Sequence, residues 1–255
     1  MKIRVLGCHG SQLTNCNTTS FLLGQNILVD AGTVTTVLSL KEQLKINYIF
    51  ITHAHLDHVR DIMFLADNIC YQRRGKPLVI FSTKGIIETI HRHLFNDVIW
   101  PDFSRIPSPK SPLIKFQVIK PGKKQRVADL QVRAIDVHHV VETIGYVIES
   151  KDKAVIFLGD TGPTEEAWQV ARKTKGLKAI FIETSLPDDM KDIADRAGHL
   201  TPLSLVAELK KLKGAKPAIY LYHMKPSYHE AIRKEVAAIK DRKIHIIEDG
   251  QIIHI

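Results

Sequence analysis

The densest chemistry in this 255-residue chain lies in six consecutive residues, His53-Ala54-His55-Leu56-Asp57-His58. Imidazole and carboxylate are the donors taken by zinc and its first-row neighbours. The segment follows the apolar run Tyr48–Thr52, which reads as a strand. Alternate residues of an extended segment share a face, so His53 and His55 can serve one ion. Asp57 and His58, where the chain turns into a helical pattern, can reach a second ion beside it. Two cations about 3.5–4 Å apart ionise a bridging water near neutral pH and neutralise charge on the reacting oxygens. The expected class is therefore a two-metal hydrolase.

The elements that must position these donors alternate along the chain. Residues 2–8, Ser20–Leu23 and Ile27–Asp30 read as strands, followed by a helix over Thr35–Lys45. His58–Tyr71 repeats apolar residues at helical spacing, then strand Leu78–Ser82 leads to helix Lys84–Phe95. Asn96–Pro112 holds four prolines with Trp100 and Phe103 and reads as an ordered loop. Strands follow at Ile114–Ile119, Leu130–Val137, Thr143–Glu149 and Ala154–Leu158, the last two joined by the turn Lys151-Asp152-Lys153. The remainder alternates helices near Thr164–Thr174, Pro202–Lys211 and His229–Lys240 with strands at Ala179–Glu183, Ala218–Tyr222, Ile244–Ile247 and Ile252–Ile255. No composition shift divides the chain, so residues 1–255 are expected to form a single domain. The economical α/β (α+β) architecture is four-layered, with two mixed sheets face to face and helices outside.

The composition is that of an ordinary soluble globular chain, 44 % hydrophobic and 25 % charged. No apolar run approaches the roughly 20 residues of a membrane span, and the N-terminus enters a strand at once without room for a secretory signal. A cytoplasmic protein with no membrane partner is the expectation. The formal charge of +9 favours anionic partners. Cys8, Cys16 and Cys70 follow no metal-ligand spacing and read as free thiols.

H-x-H-x-D-H after an apolar strand resembles the signature of the metallo-β-lactamase superfamily, which implies an αββα sandwich with the site at one edge. Further segments resemble the family in order: Val29-Asp30-Ala31-Gly32, His138-His139 before Gly145-Tyr146, Gly159-Asp160-Thr161, and His223 closing a strand. The resemblance implies that His53, His55 and His139 hold one metal and Asp57, His58 and His223 the other, with Asp160 bridging. His138 is the alternative to His139, chosen against because of the six-residue gap from His139 to Gly145. Two divalent ions are implied, zinc first, with Mn2+ or Fe2+ as alternatives.

H-x-H-L-D-H, G-H-L-T-P at Gly198–Pro202 and H-M-K-P at His223–Pro226 together look like the class II 3′,5′-cyclic nucleotide phosphodiesterases. The implied activity is hydrolysis of a 3′,5′-cyclic nucleotide, cyclic AMP first, to the 5′-monophosphate by a metal-bridging hydroxide. Expulsion of an alkoxide needs a proton donor, and His199 charged by Glu183 is the candidate, with Asp57 also in the catalytic set. Lys225 and Thr201 are candidate substrate contacts, Thr201 also reading as a helix N-cap. Trp100 and Phe103 either stack a purine or pack their loop onto the body. The nearest rival is the tRNA 3′-end-processing endonuclease (RNase Z), whose members commonly insert a tRNA-gripping arm between the regions matching His139 and Asp160; no arm fits here. An RNA-binding module that holds metal without catalysis is the reading from another class. The resemblance also implies a homodimer.

Overall fold

The structure, a computed structural model, describes residues 1–73, 75–240 and 243–255. Chain order begins with β1 (Lys2–Gly7), β2 (Ser20–Leu23), β3 (Ile27–Val29), α1 (Leu40–Gln43), β4 (Tyr48–Phe50), α2 (Leu56–Val59) and α3 (Asp61–Cys70). It continues through β5 (Leu78–Ser82), α4 (Lys84–His93), a short ribbon of β6 (Pro107–Ser108) with β7 (Ser111–Pro112), and β8 (Ile114–Val118). The next strands are β9 (Lys124–Val127), β10 (Leu130–Asp136), β11 (Ile144–Ser150) and β12 (Lys153–Phe157). The rest alternates α5 (Glu166–Lys173), β13 (Leu177–Glu183), α6 (Lys191–Ala197), α7 (Pro202–Lys210), β14 (Ala218–Tyr222), α8 (His229–Ala237), β15 (Ile244–Ile246) and β16 (Ile252–His254).

Among the described residues these strands make two seven-stranded mixed sheets, in the orders β16-β1-β2-β3-β4-β5-β8 and β15-β14-β13-β12-β11-β10-β9. The period-2 pattern of the second sheet explains the layering. Tyr146, Ile148, Val155, Phe157, Ala179, Phe181 and Tyr222 belong to the core shared with the first sheet. Their alternates Val147, Ile156, Ile180, Ile182, Ile219 and Leu221 pack instead with Trp168, Leu205 and Ile232 from α5, α7 and α8. Phe21 of β2 ties the sheets together, its ring centroid 5.1 Å from Phe157, 5.5 Å from Phe181 and 5.3 Å from Tyr222. A buried aromatic of this kind is worth about 3–5 kcal/mol against alanine. Two mixed sheets with helices over them is the architecture that the sequence led us to expect.

Some elements are shorter than the sequence pattern suggests. The expected helix over Thr35–Lys45 forms only from Leu40, where Ser39 and Glu42 make a reciprocal capping box. Upstream, the backbone N–H groups of Val34 and Thr35 and the Thr35 hydroxyl all donate to the buried Asp61 carboxylate, and the turn closed by Leu38 N–H on Val34 O at 2.9 Å stops at Ser39, whose ψ of 156° is not helical. The helix read over His58–Tyr71 is divided at Arg60, because the Asp61 N–H bonds Ala31 O at 2.9 Å. The proline-rich loop contains the β6–β7 ribbon, and α6 and β9 carried too weak a periodicity to be read. Among the described residues no helix is long and apolar enough to cross a membrane.

Candidate metal centre

Strand direction decides what meets. β3, β4 and β5 run parallel, as do β12, β13 and β14, and β10 runs antiparallel to β11, which is antiparallel to β12. The carboxyl ends of β3, β4, β10, β12, β13 and β14 are followed by Asp30, His53, His139, Asp160, Thr184 and His223, so the chemistry collects where strands stop and backbone turns away. His53, His55, His139 and Asp160 offer donor atoms within 4.8 Å of one another, and Asp57, His58 and His223 form a second such group. Asp160 touches both: Oδ2 lies 3.7 Å from His53 Nε2 and 3.1 Å from His223 Nε2, while Oδ1 lies 3.4 Å from His58 Nε2. His223 Nε2 is also 3.2 Å from Asp57 Oδ2 and from His58 Nε2. His138 is exposed, and its neighbour His139 is the one that turns inward.

Four of the five rings, all but His55, are aimed by a partner on the far nitrogen, which fixes tautomer and orientation. His58 Nδ1 lies 2.8 Å from Asp30 Oδ2, and His53 Nδ1 lies 3.0 Å from Thr52 Oγ1, whose hydroxyl donates to Asp30. His139 Nδ1 donates to Gly198 O at 2.9 Å, and His223 Nδ1 lies 2.9 Å from Ser185 Oγ. Gly198 has φ +67° and packs so tightly that a Cβ would stand 3.0 Å from both Cα and Nδ1 of His139. His223 itself adopts φ +66°, held by its N–H bond to Cys8 O at 2.6 Å.

The donor set fits cations. His139 Nε2 and Asp160 Oδ1 are buried without a hydrogen-bond partner, an expense that proteins seldom leave uncompensated. Both point into the cluster of imidazole and carboxylate donors that two first-row dications prefer. The charges already show the strain of this crowding: burial drives the His53 imidazole well below its ordinary value, whereas His58, against the same burial penalty, is raised well above it by Asp160 and Asp30. Burial would raise Asp160, but His223 and His58 hold it far below the usual carboxylate range.

Beside this cluster, His199 follows Gly198 and places its ring 5.0 Å from His139 and 5.5 Å from His223. Its Nδ1 is 2.6 Å from Oε1 of Glu183, a carboxylate with no solvent exposure. Burial alone would depress the imidazole, but the Glu183 charge and hydrogen bond override it and push the pKa up to about 9. Glu183 Oε1 also accepts from Thr161 N–H, and Oε2 accepts from the Ser185 hydroxyl at 2.7 Å. Ser185 therefore stands between the dyad and His223; sequence reading passed over it, its only signal being a polar residue two places after a strand-end glutamate.

A cleft of about 450 Å³ opens at His199 and is lined further by Lys225, Leu186, Ile193, Pro226 and Tyr228. Lys225 Nζ donates to Gly10 O at 2.5 Å and faces His199 closely enough to lower its pKa somewhat. Thr201 is fully buried, and its side chain accepts from Ser204 N–H as the N-cap of α7. Phe103 is buried and Trp100 packs on Phe64 at 5.2 Å, which makes loop packing their role.

Residues 25–224 match the family described as Beta-lactamase superfamily domain. The chain is 29 % identical over 187 residues to 3′,5′-cyclic-nucleotide phosphodiesterase 1 of Saccharomyces cerevisiae, covering 64 % of this chain and 50 % of the yeast protein. It is 27 % identical over 208 residues to a probable 3′,5′-cyclic-nucleotide phosphodiesterase of Yersinia pestis, covering 72 % and 59 %. It is 32 % identical over 160 residues to Ribonuclease Z of Treponema pallidum, covering 58 % and 48 %. The chain thus spans from just under half to about three-fifths of the length of these curated relatives. Among solved structures, unliganded yeast PDE1 superposes over 98 % of each chain with a TM-score of 0.84 at 21 % identity. The short form of human tRNase Z covers 100 % of this chain, and 99 % of its own, with a TM-score of 0.72 at 19 % identity. At these identities the two structures share the fold with this chain.

Proposed function

The chain belongs to the beta-lactamase superfamily, and from that premise we propose that it is a metal-dependent phosphodiesterase that hydrolyses 3′,5′-cyclic nucleotides, cyclic AMP first, to 5′-monophosphates. The observation that carries this reading is the buried Glu183–His199 pair at 2.6 Å beside seven convergent donors. A thiolate departs from a thioester without such an acid; a phosphodiester alkoxide does not. Two divalent ions, zinc in first place, would be held by His53, His55 and His139 and by Asp57, His58 and His223, sharing Asp160, and would supply an ionised water and neutralise phosphate charge.

The chain's own residues do the rest. With Nδ1 committed to Glu183, His199 presents Nε2, and as an imidazolium it donates that proton to the departing 3′ oxygen when the P–O3′ bond breaks. Water supplies the oxygen that ends on phosphorus. Lys225 offers a point charge for a non-bridging phosphate oxygen, and Ser185 keeps the dyad and His223 in register. We place the enzyme in the cytoplasm as a homodimer and take chain 1–255 as one domain.

A second reading, endonucleolytic processing of tRNA 3′ ends, draws on the likeness to Ribonuclease Z of Treponema pallidum. Against it, β11, the turn at Lys151 and β12 occupy most of the stretch from His139 to Asp160, leaving no room for an arm. A metal-bearing RNA-binding module without catalysis is the third. One panel separates them: metal-loaded protein against cyclic AMP, cyclic GMP, an unprocessed tRNA and a thioester. Cleavage of tRNA with inert cyclic nucleotides reverses the first two readings, and no turnover with metals bound supports the third.

A further inference from the structure

Behind His223 lies a second cluster of donors that the proposed reaction does not use. Cys8 follows β1, and Asp249 sits in the turn between β15 and β16. Cys8 Sγ is 3.2 Å from Asp249 Oδ1 and 3.9 Å from His9 Nδ1, and His9 Nδ1 is 3.4 Å from the same Oδ1. Cys8 and His9 are 3 % and 9 % exposed, so three unlike donors converge with little water between them. For a tetrahedral cation with bonds of about 2.0–2.3 Å, donors stand roughly 3.3–3.7 Å apart. The observed triangle brackets that spacing.

Asp249 has the capacity to take part. Oδ2 accepts from Asn17 N–H at 2.8 Å, and Oδ1 from Cys8 N–H at 3.0 Å and from the Cys8 thiol at 3.2 Å; an ion bound by the thiolate would replace that thiol proton. Cys16, a second thiol on the same loop, stands within electrostatic reach of both Cys8 and Asp249. The loop is also the wall behind His223: Cys8 O accepts from His223 N–H, and a Cβ on Gly10 would stand 2.7 Å from His223 Nδ1.

We propose that Cys8, His9 and Asp249 form a third cation site, for a thiophilic dication of the zinc class, separate from the seven-donor centre. Bound there, the ion joins the end of β1 to the β15–β16 turn and stiffens the wall against which His223 is set. The sequence hid the site because Asp249 lies 240 residues from His9 and the cysteines have no short repeat.

Cobalt(II) tests it, since none of the seven donors of the other centre is sulfur. Metal-stripped, phosphine-reduced full-length protein is titrated with Co2+ and read by absorbance and elemental analysis. The expected result is a near-ultraviolet sulfur-to-cobalt charge-transfer band whose plateau corresponds to one sulfur-bound ion per chain, with three ions bound in all. Cys8→Ser abolishes the band and lowers bound metal by one equivalent, Asp249→Asn weakens it, and Cys70→Ser leaves it unchanged. A wild-type protein without the band, or a band that survives Cys8→Ser, overturns the proposal, and the wild-type measurement decides even where a variant fails to fold.

Discussion

Replacing Glu183 by glutamine keeps the size of the side chain and removes only its charge. In the metal-free protein His199 is pushed from its ordinary 6.5 up to about 9, although burial works the other way. That difference is about 3 kcal/mol of preference for the imidazolium, at roughly 1.4 kcal/mol per pH unit. With the carboxylate gone, burial and Lys225 are opposed only by Asp160, and the pKa falls to about its ordinary 6.5. At pH 7.5 the protonated fraction of His199 then drops from roughly 97 % to roughly 10 % or less. Long-range 1H–15N correlation spectra of the metal-free protein and of Glu183→Gln, followed through a pH titration, read this directly. The raised pKa also contributes stability that is complete below about pH 6.5 and lost as pH rises through about 9. The stability gap between wild type and variant should therefore narrow across that window in denaturant titrations. In the metal-loaded enzyme, nearby cations lower both values, but the alkaline limb of the rate profile should still move to lower pH in the variant. If His199 titrates at the same pH in both proteins, the charge of Glu183 does not control it and the proton-donor argument fails.

His199→Ala should retain both metals and lose roughly 10²–10⁴-fold in rate on an unactivated ester. On an ester with an acidic phenol leaving group the loss should be far smaller, and equal losses would remove His199 as the donor. Asp160→Ala should release more than one metal equivalent, because its carboxylate faces both groups of donors; elemental analysis after dialysis measures this. Gly198→Ala meets both a left-handed φ and a Cβ at 3.0 Å from His139, so it should cost more than about 1 kcal/mol of stability and weaken metal affinity. Unfolding and metal titrations together check it, and an unchanged affinity would separate Gly198 from the His139 ring.

His53, His55, Asp57 and His58 were legible from their spacing after an apolar strand, whereas His139, Asp160, His223 and Asp30 came through the family resemblance; the donor atoms of the first seven do gather. Ser185 and Thr52 were not legible, since a small hydroxyl residue carries no signature until the ring that it orients is in place. Gly198 was quoted within a motif, but its need for φ +67° against His139 is a tertiary fact. The Thr35–Lys45 pattern misled because Ser39, at ψ 156°, breaks the helical backbone and caps a new start at Leu40, which the apolar spacing does not signal. Thr201 was read as a cap from its place before Pro202, and it caps α7.

The two sheets divide the proposed centre unequally: four donors follow β4 in the first, and three follow β10, β12 and β14 in the second. During synthesis the first sheet's quartet emerges early, at residues 53–58, with no partner to complete it. Only when residue 223 has left the ribosome can all seven meet. Metal loading is then a late event in biogenesis, and a nascent chain stalled short of β14 should exchange its ions with the cellular pool far faster than the finished protein. The same division makes bound ions a clasp between sheets, so their departure would register first as breathing along the Phe21 seam.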